Sequence, residues 1–155
     1  VKADGKMTEV YFYHLEYRTL EDVLPTLLER SLARGWRAAV QATSEERVEA
    51  LNTLLWTYRD ESFLPHGSAR DGSAALQPIY ITATDDNPNG SQVRFLVDGA
   101  ELAESAPYAR IVYVFDGSDA DALSHARAAW QAAKAQAHDV SYWQQDEDGR
   151  WQQKA

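Results

Sequence analysis

The fold is decided by "EVYFYHLEYRTLEDVLPTLLERSLARGWRAAVQAT", residues 9–43. Its first segment, 9–15, is aromatic and β-branched and long enough for a central strand. The period then changes: Leu24, Leu27, Leu28 and Leu32 recur at helical spacing, and Gly35 supplies the stop. Pro25 suits only the first turn of a helix, where its missing N–H matters little, so the regular helix is expected from about Asp22. "WRAAVQAT" (36–43) reads as a second strand, and Ser44 caps a second helix, "SEERVEALNTLLW", whose Val48, Leu51 and Leu55 form one apolar stripe. Strand, helix, strand, helix predicts a parallel core sheet with helices packed on it.

Outward from this core, 57–77 is rich in Gly, Ser, Asp and Arg and reads as a long connecting loop. "PIYITA" (78–83), "QVRFLVDG" (92–99) and "ARIVYVFDG" (109–117) read as three further strands. Asp119 begins the longest helix, expected to reach about Ala137, and "VSYWQQDEDGRWQQ" reads as a terminal hairpin turning at "DEDG". Residues 1–6, ahead of Met7, read as an appended vector-derived tag and are set aside, leaving 7–155 as a single α/β domain.

A chain of 155 residues with 45% hydrophobic and 25% charged residues can close one buried core. No run of eighteen apolar residues and no signal-peptide pattern occurs, so the expected location is cytoplasmic. Cysteine is absent, which excludes disulfides, thiol catalysis and thiolate metal sites. A net charge of -9 argues against a protein that coats phosphate backbone; any contact with DNA is expected to be indirect or local.

Little in the chain suggests catalysis. The first strand-to-helix turn, "HLEYRT", has no glycine, and neither GxGxxG nor a P-loop occurs, so no nucleotide cofactor is expected. Asp85, Asn87, Asn89 and Gly90 imitate the start of a calcium loop, but the closing bidentate position falls on Leu96, and a plain turn is expected. His14, His66, His125 and His138 show no metal-ligand spacing. Asp98 and Asp116 each follow a strand, where α/β enzymes often place acids, although Asp-Gly pairs there are also common turn formers. They define the enzymatic alternative: a small α/β enzyme using Asp98, Asp116 and a His at the strand ends.

The last long helix is more informative. Ala122, Ala126, Ala129, Ala133 and Ala137 share one face, which would let the helix lie close on a sheet. Beside that face, Leu123, Arg127, Trp130 and Lys134 form a strip with two cations and a large ring. Such a strip suits an acidic, aromatic-ended peptide; the alternative is that Trp130 caps the core edge while Arg127 and Lys134 are solvated. Likewise Trp56, Tyr58 and Phe63 of "LLWTYRDESFLPHG" (54–67) fall outside any core period, and the stretch alone does not separate a core plug from a docking surface.

Taken together, "VYFYHL", "LLERSLARGWRAAV", "LLWTYRDESFLPHG", "RIVYVFDGSDADAL" and "ARAAWQAAKAQAHDVSYWQQDEDGRW" resemble the chi subunit family of the bacterial DNA polymerase III holoenzyme, from Met7 nearly to the end. The resemblance implies a three-layer, Rossmann-like domain with a mostly parallel sheet, helices on both faces and a C-terminal β-hairpin. It further implies a clamp-loader accessory subunit with no catalytic residues, cofactor or metal, joining the polymerase assembly to single-stranded DNA-binding protein. By resemblance, Trp56 and Phe63 match the surface that receives the psi subunit or an accessory helicase. Arg127, Trp130 and Gln131 match the pocket for the acidic C-terminal tail of single-stranded DNA-binding protein. Leu123 and Gln131 stand where some members carry lysines, so the pocket is less cationic here, with Lys134 close by.

Overall fold

The computed structural model describes residues 8–57, 64–102 and 108–155. Thr19 opens the first helix. Its hydroxyl accepts from the Asp22 amide, while the Asp22 carboxylate accepts from the Thr19 amide, a reciprocal cap that fixes the start of α1 at Leu20–Ala33. This corrects the expected start near Asp22. Pro25 therefore lies inside the helix, forgoing a bond to the Glu21 carbonyl, and the cap signal Thr19-x-x-Asp22 outweighs the proline. Past Ala33, Gly35 takes a φ of +82°, a left-handed conformation that ends the helix.

The strands are β1 (Glu9–Leu15), β2 (Ala38–Gln41), β3 (His66–Ser68), β4 (Ile79–Thr82), β5 (Val93–Leu96), β6 (Arg110–Asp116), β7 (Asp139–Gln145) and β8 (Trp151–Gln153), with α2 at Glu45–Thr57 and α3 at Ala120–Ala135. They form one eight-stranded sheet in the order β3-β4-β2-β5-β6-β1-β7-β8. Every neighbouring pair is parallel except β7 and β8, which form the terminal antiparallel hairpin. The expected α/β class, mostly parallel sheet and hairpin are all present. β3 was not expected: 57–77 read as loop, yet three of its residues pair with β4 at the sheet edge, followed by 3-10 turns at Ala69–Asp71 and Ala74–Leu76. Gly67 packs under the end of the Gln77 side chain, which a Cβ would approach to 2.9 Å and push aside.

Side-chain alternation divides the core. On one face Leu15, Val112 and Val114 pack with α1 and α2 residues such as Leu24, Leu28, Val48 and Leu51. On the other, Val10, Phe12 and Phe115 pack with Ala126 and Ala133 of α3. Helices thus cover both faces, and no helix among the described residues is long and apolar enough to cross a membrane.

Candidate functional site

Asp119 caps α3 by accepting from the amides of Asp121 at 2.9 Å and Ala122 at 3.3 Å. Ala126 and Ala133 are buried, and Ala122 and Ala129 are partly buried against the same cluster, so small side chains let α3 lie close to β1, β6 and β7. Ala137 does not belong to that face. The helix stops at Ala135, and Ala137 is exposed with a φ of +61°.

The strip beside the alanines is present on α3. Trp130 is half-buried, its ring edge-on to Phe12 at 5.4 Å and to Tyr142 at 5.8 Å, with the Lys134 ammonium 5.4 Å from the ring centre. Leu123 is half-buried beside it, and Arg127, Gln131 and Lys134 are exposed. Trp130 therefore caps the core edge while Arg127 and Lys134 are solvated, as the second of the two sequence alternatives has it.

Sequence reasoning missed the support beneath this strip. The β1–β7 register sets Phe12 opposite Tyr142, and Phe12 stacks on Tyr113 at 4.7 Å with the rings 3° from parallel. The Tyr142 hydroxyl is 2.6 Å from His14 Nδ1. Burial raises the Tyr142 phenol while the Arg127 charge acts in the opposite sense. Gly117 makes room for His14, because a Cβ there would fall 1.8 Å from His14 Nε2. His14, read as one of four scattered histidines, is thus tied to the wall of the strip. Only the β1–β7 pairing reveals it.

Burial lowers the His14 pKa below the ordinary histidine value, partly opposed by Glu16 and Asp116. As pH falls below about 6.5, the unfolded chain binds this proton before the folded one, so the native state loses stability in that window. The melting temperature of the wild type should therefore fall more between neutral and mildly acidic pH than that of His14→Gln. Parallel pH profiles would remove His14 from this account.

A second concavity, of about 730 Å³, lies at the carboxyl ends of β1, β5 and β6. β1 and β6 are neighbours whose following helices pack on opposite faces, the position where open parallel sheets hold ligands. Asp98, Asp116 and His125 all line it, so the residues of the enzymatic alternative do converge. Their partners, however, are structural. Asp98 accepts from Arg47 Nε at 2.7 Å, and Asp116 accepts from the Ser118 amide at 2.9 Å and hydroxyl at 2.7 Å, bonds that hold its carboxyl below the usual range. Glu16, Glu21, Asp119 and Asp121 share the lining with Arg18 and Arg47, a balance that repels phosphate.

The calcium-like loop is likewise committed to its own turn. Asn89 donates to the Gln77 carbonyl at 2.7 Å, Asn87 accepts from the Ser91 amide at 2.9 Å, and among the described residues no cluster of three acidic, His or Cys side chains could hold a metal.

Trp56 stands at the end of α2, 57% exposed, its ring 5.0 Å from that of His66. Phe63 and Tyr58 lie outside the described residues.

The family profile described as "DNA polymerase III chi subunit, HolC" matches residues 7–141. A probable DNA polymerase III subunit chi of Rickettsia prowazekii (strain Madrid E) is 30% identical over 109 residues, covering 70% of this chain and 66% of the relative's length. With a matching profile over most of its length, the chain belongs to the DNA polymerase III chi subunit family.

Proposed function

We propose that the chain is a non-catalytic subunit of the clamp-loader assembly. It links the replicative polymerase, in the cytoplasm at the replisome, to single-stranded DNA-binding protein by holding that protein's acidic C-terminal tail. The observation carrying this reading is the exposed cationic strip of α3, in which Arg127 and Lys134 flank a Trp130 seated on Phe12 and Tyr142. Arg127 is suited to a carboxylate, which a guanidinium can hold through two parallel bonds, while Trp130 offers an apolar wall to a terminal ring. Leu123 and Gln131 border the same strip. The exposed Trp56, with Phe63, would dock the psi subunit or an accessory helicase, consistent with the enrichment of such aromatics at interface hot spots.

Calorimetric titration with an acidic, Phe-ended peptide tests the tail site. Truncating a charge partner at an interface costs roughly 2–5 kcal/mol, so Arg127→Ala should weaken binding by at least about tenfold. Arg70→Ala serves as the control, since Arg70 is exposed and pairs with Glu49 at 3.3 Å away from α3. Affinity should also fall with added salt. Equal affinity in wild type and both variants would remove α3 as the tail site.

The convergence of Asp98, Asp116 and His125 in one cleft favours a second reading, the small α/β enzyme. Against it stand the Arg47 and Ser118 bonds that already occupy the two carboxylates. A hydrolytic activity abolished by Asp98→Asn or Asp116→Asn would establish it.

A further inference from the structure

The face of the sheet that carries α1 holds a feature the chi reading leaves unused. From the amino end of the sheet toward β8, rings and guanidiniums follow one another without a gap. Arg34 lies over Trp36 at 4.1 Å, Arg110 over Trp36 at 5.1 Å and over Tyr11 at 4.2 Å. Tyr11 stacks with Trp143 at 5.9 Å, Trp143 meets Tyr13 at 6.3 Å, and Tyr13 meets Trp151 at 4.6 Å. Each of these aromatics is partly exposed.

Overall acidity argues against nucleic acid, but the charges are segregated. Acidic side chains gather in the cleft at the carboxyl ends of the strands. At the opposite end, Arg30, Arg34 and Arg110 line one small groove beside Tyr13, with no carboxylate among the described residues of its lining. Arg110 is paired with Glu9 at 2.9 Å, whereas Arg30 and Arg34 are exposed and make no ion pair among the described residues. Trp143 and Trp151 come after the last residue matched by the family profile.

We propose that this strip binds single-stranded nucleic acid, with bases stacking along the Trp36–Tyr11–Trp143–Trp151 line and Arg30 and Arg34 meeting phosphates. A sheet face carrying several partly exposed rings suits successive bases, each of which has a π-face, and a guanidinium resting on a ring keeps its N–H edge for an anion. An acidic peptide, by contrast, would be met by the arginine groove alone and would leave the line of rings beyond it unused. The double strand is disfavoured because its bases are already stacked on each other.

Anisotropy of a fluorescein-labelled oligodeoxythymidylate, titrated with the full chain at low salt, tests the proposal. The single strand should bind at least about tenfold more tightly than a duplex of the same length. The association constant should fall on added salt with a log–log slope of roughly −0.7 for each phosphate neutralised. Arg30→Ala combined with Arg34→Ala should weaken binding by about tenfold and flatten that slope, and Trp36→Ala should weaken it by about as much. The arginine variant alters only exposed side chains, so it remains informative if the Trp36 variant folds poorly. No binding at low salt, equal binding of single strand and duplex, or unchanged binding by both variants overturns the proposal. Displacement of the oligonucleotide by an equimolar Glu-rich peptide also overturns it, assigning the strip to an acidic peptide.

Discussion

Arg94→Ala is expected to cost about 3–5 kcal/mol of folding stability, a large part of the roughly 5–15 kcal/mol that holds a domain together. Arg94 sits on the central strand β5 with 0% exposure, and among the described residues no carboxylate is bonded to it. Four neutral oxygens satisfy its guanidinium. Nε donates to Gln41 Oε1 at 2.9 Å, Nη1 to the Asp86 carbonyl at 2.8 Å and the Tyr108 hydroxyl at 3.1 Å, and Nη2 to the Thr84 carbonyl at 2.6 Å. Alanine would strand those acceptors in the interior, each at a cost of about 1–3 kcal/mol where water does not enter, and would leave a cavity.

The same network orders the turn after β4. Burial alone would raise the Asp86 carboxyl, but hydroxyl bonds from Thr82, Tyr80 and Thr84, with the Arg94 charge, hold it below the usual range. The Arg94 variant should therefore lose both β5 anchoring and the turn that closes around Asn89. Urea unfolding followed by far-UV circular dichroism measures the effect. A loss below about 1 kcal/mol would show that water or a rearranged Gln41 replaces the guanidinium.

Much of this fold is legible from local pattern. β1 announces itself by its β-branched and aromatic run, and α3 by the alanine period and the Asp119 cap. β3 does not, because His66, Gly67 and Ser68 carry no strand propensity and are extended only by pairing with the edge of β4. Pro25 misled for a related reason. A residue that is poor inside helices was weighed, while the cap six positions earlier, which sets the boundary, was not.

The candidate site divides the same way. Arg127, Trp130 and Lys134 share a helical face, so three- and four-residue spacing suffices to find them. What they rest on is non-local: His14 and Tyr142 are 128 residues apart and meet only because β1 and β7 are neighbours. The aromatic strip is hidden from the sequence for the same reason, since Trp36, Tyr11, Trp143 and Trp151 come from four separate segments.

Phe12→Ala should be as damaging as the Arg94 change, and it bears directly on the proposed tail site. Phe12 has 0% exposure, lies flat against Tyr113 at 4.7 Å and receives the edge of Trp130 at 5.4 Å. Deleting a core phenylalanine costs about 3–5 kcal/mol through lost transfer energy and the cavity left behind. Trp130, released from its support, would tilt into that space and withdraw its ring from the surface that the peptide is proposed to contact. Phe12→Leu separates the two effects. It refills most of the volume, so the loss of stability should be below about 2 kcal/mol, yet it removes the edge-to-face contact that fixes the ring. Urea unfolding of both variants, with calorimetric titration of the tail peptide into folded Phe12→Leu, tests the linkage. The expected result is a stable Phe12→Leu protein whose peptide affinity is reduced several-fold. If Phe12→Leu binds like wild type while Trp130→Ala does not bind, Phe12 contributes packing alone and Trp130 holds its position through Tyr142.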